Sequence, residues 1–99
     1  MIVVFSDAAE ADLERIADYI ARDNPHRASR FVAELIDRAK RLADTPEAYP
    51  LVPRHAHHGI RKRSHGAYLI FYRVRDDQIE ILHVLNGAQD WETQILPPG

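Results

Sequence analysis

The chain has 99 residues, a formal net charge of −2 and no cysteine. That length supports a single domain, residues 1–99, whose core needs no covalent staple. Disulfides and thiolate metal sites are excluded, and the charge balance argues against simple nonspecific affinity for nucleic acid. Met1 runs straight into Ile2, Val3, Val4 and Phe5, too short a segment to cross a membrane and without a basic leader. A cytoplasmic location is the expectation.

Met1 to Phe5 reads as a short strand, apolar on both faces. Ser6 or Asp7 then offers an N-cap oxygen, and Asp7 with Glu10 resembles a capping box. Ala9, Leu13, Ile16, Ala17 and Ile20 recur at helical spacing, with Glu10, Asp12, Glu14, Arg15 and Asp18 on the wet side. This helix is expected to end near Asp23. Asn24-Pro25 starts a second, because Asn caps and Pro at the first helical position has no N–H to waste. Its stripe is Ala28, Phe31, Val32, Leu35, Ile36, Ala39, Leu42 and Ala43. The short connection implies an antiparallel helical hairpin.

Thr45-Pro46 closes that helix, since a residue before proline is pushed out of the α region. Pro46, Pro50 and Pro53, with Tyr49, Leu51 and Val52, make a stiff loop to about His58. Gly59 to Arg63 reads as a strand and Ser64-His65-Gly66 as its turn. From Ala67 to Asn86 two apolar runs flank a polar break at Asp76-Asp77, the pattern of a β-hairpin. A two-residue loop there pairs Arg73 with Glu80 and Phe71 with Leu82. Alternation places Tyr68, Ile70, Tyr72, Val74, Ile79, Ile81, His83 and Leu85 on one face. Leu69, Phe71, Arg73, Glu80, Leu82 and Val84 fall on the other. Gly87 breaks the last strand, and Ala88 to Leu96 forms one or two helical turns, with Trp91 and Ile95 on one side, before Pro97-Pro98.

The result is an α+β domain of order β-αα-βββ, with an antiparallel meander, one helical layer and a short C-terminal helical tail. Two helices cover one face of a small sheet. Both faces are largely apolar, so the other is expected to stay open and to take a protein partner.

Charge is segregated along the chain. Between Leu51 and Arg75 lie Arg54, Arg61, Lys62, Arg63, Arg73 and Arg75 without a carboxylate among them, together with His55, His57, His58 and His65. Beyond Arg75, Asp76, Asp77, Glu80, Asp90 and Glu92 meet no Lys or Arg. An anionic partner and the protection of sheet edges by charge both account for the basic middle. His55, His57 and His58 have neither a further ligand nor a carboxylate nearby, so no metal site is expected. His83 reads as a hydrogen-bonded core histidine. Serines lack a nucleophile motif and no glycine loop cradles phosphate. No cofactor is expected.

Ser6, Ala9, Asp12, Leu13, Ile16, Tyr19 and Ile20 form an S-x-x-A-x-x-D-L-x-x-I-x-x-Y-I pattern. Asn24-Pro25, Ala28, Phe31, Tyr49-Pro50, Gly59 to Arg61, Tyr68 to Val74 and Ile79 to Asp90 continue it. Over nearly its whole length the chain resembles the ParE/RelE superfamily of toxins from bacterial type II toxin–antitoxin modules. The resemblance implies a β-αα-βββ fold and a hetero-oligomer with an antitoxin. Its ParE-like branch implies inhibition of DNA gyrase, no catalytic residues, and neutralisation by a ParD-like antitoxin.

On that branch Arg54, Arg61, Arg63, Arg73 and Trp91 are candidate target contacts, Trp91 also anchoring the tail. Leu13, Ile16, Tyr19, Ile20, Phe31, Leu35, Leu69, Phe71, Leu82 and Val84 are candidate antitoxin contacts. The RelE-like alternative is a metal-independent mRNA nuclease acting on the ribosome, for which Arg61, Arg73, His83 and Asn86 are the candidates. Asn86 stands where many relatives carry His and cannot transfer a proton, which favours the first branch. It also keeps open a third reading, an inert relative that only sequesters an antitoxin.

Overall fold

A computed structural model describes residues 1–95. Its elements are β1 (Ile2–Phe5), α1 (Asp7–Ala21), α2 (Pro25–Arg41), β2 (Arg61–His65), β3 (Tyr68–Arg75) and β4 (Gln78–Asn86), with a 3-10 helix over Pro53–His58. The sheet order is β1-β4-β3-β2. The antiparallel meander of β2, β3 and β4 is extended by β1, which joins β4 in parallel after the helical crossover.

Local chemistry accounts for the helix starts. Ser6 is extended, and its Oγ accepts from the Ala9 amide at 3.0 Å, leaving Asp7 as the first helical residue. Asn24 caps α2 through Oδ1 and the Arg27 amide, ahead of Pro25. Both helices stop slightly earlier than their apolar spacing suggests, α1 at Ala21 and α2 at Arg41. Residues 42–45 are hydrogen-bonded turns that carry the chain into the Pro46 loop.

Asp76 and Asp77 adopt φ values of 51° and 61°, the pair of left-handed residues that a type I′ hairpin needs. Arg73 pairs with Glu80 as expected. Past Tyr72 the register shifts by one: Phe71 faces His83, not Leu82, and Leu82 is the extra residue of a β-bulge. The shift reverses which side each later residue faces. Val84 joins the helix-side core, and Leu82 and Leu85 both join the opposite one.

The bulge lies where β1 runs out. Phe5 is opposite Ile81, and beyond it the edge of β4 has no strand beside it. Residues at the start of and within α1 take over. The Ser6 amide donates to Ile81 O at 3.0 Å, Ser6 Oγ donates to Leu82 O at 2.9 Å, and Asp12 Oδ2 accepts from the Val84 amide at 2.9 Å. The orphan groups of a buried edge are thereby satisfied. β2 begins two residues later than the sequence suggests, and the turn is at Gly66-Ala67, with Gly66 at φ 58°.

Two cores flank the sheet. On the helix side, Ile70, Tyr72, Ile79, Ile81 and Val84 pack against Ile16, Phe31, Leu35 and Leu42. On the other side, Phe71, Leu82 and Leu85 pack against Val52, Ile60 and Ile95, with Leu69 and Trp91 at the margin. The expectation of an open sheet face is overturned. The proline-rich loop and the tail roof it, leaving exposed Met1, Ile2 and Val4 at the β1 corner. The tail does so through a hydrogen-bonded turn, Gln94 N to Trp91 O, rather than a helix. Leu96 and the expected stop at Pro97-Pro98 lie outside the described residues.

Candidate partner-binding surfaces

The basic residues do not gather at one place. Arg61, Arg63 and His65 of β2 pair with Tyr72, Ile70 and Tyr68 and share the helix side of the sheet. Arg61 donates to Tyr49 O at 2.7 Å and Glu47 O at 3.3 Å. Arg63 donates to Arg38 O near the end of α2 at 3.2 Å, and its guanidinium lies 4.9 Å from the Tyr49 ring. These arginines pin the proline loop to the helical layer. Burial pushes the Tyr72 phenol up from its usual range, and its hydroxyl donates to Pro46 O at 2.9 Å in the same region.

Arg73 and Trp91 lie on the opposite side. Arg73 is held by Glu80 at 3.0 Å. Trp91 stacks on Phe71 with ring centroids 5.0 Å apart and carries Lys62 Nζ 5.3 Å from its ring. Arg54 is exposed, 3.8 Å from Glu92. The expected target-contact set is thus split between two faces.

The residues of the nuclease alternative are dispersed in the same way. Arg61 is on the helix side, and Arg73 is on the other and already paired. Asn86 sits at the far end of β4 opposite Tyr68, its Oδ1 accepting from the Ala88 amide at 2.9 Å. His83 reaches α1, where its Nδ1 lies 2.8 Å from Asp12 Oδ2. A carboxylate only accepts, so Nδ1–H donates. No one substrate atom can meet all four side chains in these positions.

Asp12 is the residue that sequence reasoning misplaced. Expected on the wet side of α1, it is 2% exposed. One carboxylate serves His83, the Val84 amide and the Arg15 guanidinium. The available signal was its spacing, three residues after Ala9 and four before Ile16, which puts it on the flank of the apolar stripe.

The helical layer carries the open grooves. One of about 490 Å³ runs between α1 and the end of β4, lined by Arg15, Tyr19, Tyr68, Asn86 and Gln89. A second, of about 380 Å³, continues from Tyr19 and Tyr68 past Arg27 and Gly66. A third, of about 560 Å³, follows the outer seam of the hairpin over Ala17, Ala21, Ala28, Val32 and Ile36. Tyr19 is 65% exposed between the first two.

Of the expected antitoxin contacts, Tyr19 is open and Leu13, Ile20 and Leu69 are half-buried. Ile16, Phe31 and Val84 reach a groove only as its floor. Leu35, Phe71 and Leu82 are spent on the chain's own cores. His57 and His58 stack 4.0 Å apart in the 3-10 helix, and no group of three His, Cys, Asp or Glu suited to a metal occurs among the described residues. No helix among them is long and apolar enough to cross a membrane.

Comparison with protein families matches residues 3–91 to the ParE toxin of the type II toxin–antitoxin system parDE. The chain belongs to the ParE toxin family. A solved structure described as a chromosomal ParDE toxin–antitoxin system from P. aeruginosa superimposes with a TM-score of 0.72 at 24% identity, covering 87% of this chain and 95% of that one. At that identity the likeness speaks for the fold. No curated protein matched significantly. In this toxin the family pattern falls on structural positions: Ser6 caps α1 and Asp12 secures the free edge of β4.

Proposed function

We propose that this toxin inhibits DNA gyrase in the bacterial cytoplasm and is neutralised by a ParD-like antitoxin that docks on its helical hairpin. The observation that carries the reading is the dispersal of Arg61, Arg73, His83 and Asn86, set beside membership of the ParE family. A nuclease needs a convergent acid, base and charge clamp, and the side chains available for them are turned to separate structural duties.

The antitoxin reading follows from the grooves. The outer seam is walled by small and branched apolar side chains, and Tyr19 stands above two connected grooves with half-buried Ile20 beside it. That relief suits an amphipathic helix presenting anchors at i, i+3 and i+4.

The test is a supercoiling and cleavage assay with purified gyrase, run beside an in-vitro translation assay. Accumulation of cleaved DNA, relieved by the antitoxin, is the expected result. Cut mRNA with gyrase unaffected would replace this reading with the nuclease, and silence in both assays would leave the inert relative.

A further inference from the structure

We propose that two copies of this toxin join through the outer edge of β1, as an antiparallel β1–β1 pair about a two-fold axis at Val4. The pairing is independent of the gyrase reading and stands or falls without it.

The two edges of the sheet are built differently. β2 carries Arg61, Lys62 and Arg63, and the proline loop lies along it through the Leu51–Arg61 bridge and the bond from the Lys62 amide to Pro50 O. Charge and cover of this kind keep a strand edge from pairing with another chain. β1 reads Ile-Val-Val-Phe, with neither charge nor proline, and among the described residues β4 is its only strand neighbour. Met1, Ile2 and Val4 are exposed there.

The free backbone groups fix a register. The Ser6 amide donates to Ile81 O, so alternation turns the N–H and C=O of Ile2 and Val4 toward β4 and those of Val3 and Phe5 toward solvent. An antiparallel neighbour exchanges both bonds between residues that point at each other. With Val4 opposite Val4 of a second copy, Val3 faces that copy's Phe5, and the outward groups of both strands are satisfied together. Two four-stranded sheets become one.

Side chains agree with that register. Val3 and Phe5 pack on the helix-side core, so Val4 points to the other side and meets its own counterpart in place of water. On the helix side Phe5, Leu13 and Ile36 line a recess of about 280 Å³. Glu10 and Lys40 stand exposed at its rim and enter no ion pair among the described residues. The two-fold axis brings both recesses to one side of the joined sheet, where Glu10 of each copy is offered Lys40 of the other. That reciprocity selects a second copy over an unrelated strand. The grooves around Tyr19 share no lining residue with this recess and stay open on both copies.

The test is sedimentation velocity on the full-length toxin freed of antitoxin, from about 1 to about 200 µM. A short strand pair with a small apolar flank is a weak interface, so the expected result is a monomer–dimer equilibrium with a midpoint on the order of tens of micromolar. Val4→Lys sets two ammonium groups against each other on the axis and is expected to weaken dimerisation by about tenfold or more. Its melting temperature at a few micromolar, where the parent is monomeric, stays unchanged. Glu10→Lys and Lys40→Glu each weaken dimerisation by about three- to tenfold, and the two together restore it. Amide hydrogen exchange by NMR reads the register: Val3 and Phe5 slow as concentration rises, and Val4, already turned to β4, does not change.

A toxin monomeric throughout that range, a dimer indifferent to Val4→Lys, a charge swap that restores nothing, or Val3 and Phe5 amides that exchange freely in the dimer would each overturn the proposal. Antitoxin that protects those amides while splitting the dimer would assign the edge to the antitoxin and overturn it equally.

Discussion

Asp12 and His83 are 71 residues apart in sequence and 2.8 Å apart in space, joined carboxylate to imidazole where one edge of β4 runs on beyond the end of β1. The same Oδ2 holds the Val84 amide at 2.9 Å. Replacing Asp12 by alanine strands a buried amide and an imidazole together and is expected to cost about 3 kcal/mol. Asp12→Asn keeps an acceptor and costs less. His83→Ala leaves the Asp12–Val84 bond intact and is expected to cost about 1 kcal/mol. Urea midpoints of the three variants check the order, and equal effects of Asp12→Ala and His83→Ala would refute the edge-securing role.

The roof over the second sheet face is the next expectation to test. Trp91 contributes its stack on Phe71 and the shelf for Lys62, so Trp91→Ala is expected to cost about 2 to 3 kcal/mol and to expose apolar surface to dye. Ile2 and Val4 stand outside that roof. Ile2→Lys and Val4→Lys are each expected to shift stability by no more than about 0.5 kcal/mol. A wild-type toxin that bound dye as strongly as Trp91→Ala would mean the face is open in solution.

This roof shows where sequence reading stops. Helices announce themselves by period, and α1, α2 and the Asp76-Asp77 hairpin were legible because caps, stripe and turn chemistry agreed. Val52 and Ile60 sit in a proline loop with no period to detect, so nothing local says that they cover Phe71. The bulge was hidden for a related reason. Residues 82–85 read Leu-His-Val-Leu, apolar in either parity, so alternation continued smoothly past Phe71 and paired it one residue early. Site residues suffered most, because Arg61 and Arg63 look free as a basic run and are bound by carbonyls supplied from the distant segment at 38–49.

Tyr19 offers a clean separation of binding from folding. It is 65% exposed, whereas Leu35, on the facing helix, is 1% exposed in the core. Tyr19→Ala is expected to weaken antitoxin binding by about 10- to 100-fold with little change in melting temperature, as for an aromatic anchor at an interface. Leu35→Ala is expected to cost about 2 to 5 kcal/mol of stability. Calorimetric titration with the purified antitoxin decides it; unchanged affinity in Tyr19→Ala would move the antitoxin off these grooves.

Tyr72 predicts an alkaline limit to stability. Its phenol is raised by burial, so the folded state favours the neutral form more than the unfolded chain does. The unfolded chain therefore sheds this proton first. The associated stability is complete below the ordinary phenol value of about 10 and is lost as pH rises through the higher folded value. Tyr72→Phe removes the hydroxyl bond to Pro46 O, at a cost of about 1 kcal/mol near neutrality, and flattens the decline above pH 10. Urea midpoints measured across that range compare the two chains, and parallel declines would assign the alkaline loss to other groups.

The hairpin turn stores a small, recoverable cost. Asp76 and Asp77 both sit at positive φ and carry adjacent carboxylates at the tip. Asn-Gly satisfies the same type I′ geometry, with glycine free of the steric penalty that an L side chain meets there. Asp76→Asn with Asp77→Gly is therefore expected to raise stability by about 0.5 to 1 kcal/mol, despite the greater entropy of glycine in the unfolded chain. The Arg73–Glu80 pair, two residues from the turn end of each strand, fixes the register on which this depends. If the double variant melted lower than the parent, the turn would be drawing support from its carboxylates, most directly against the neighbouring Arg75, and the backbone account of the tip would be insufficient.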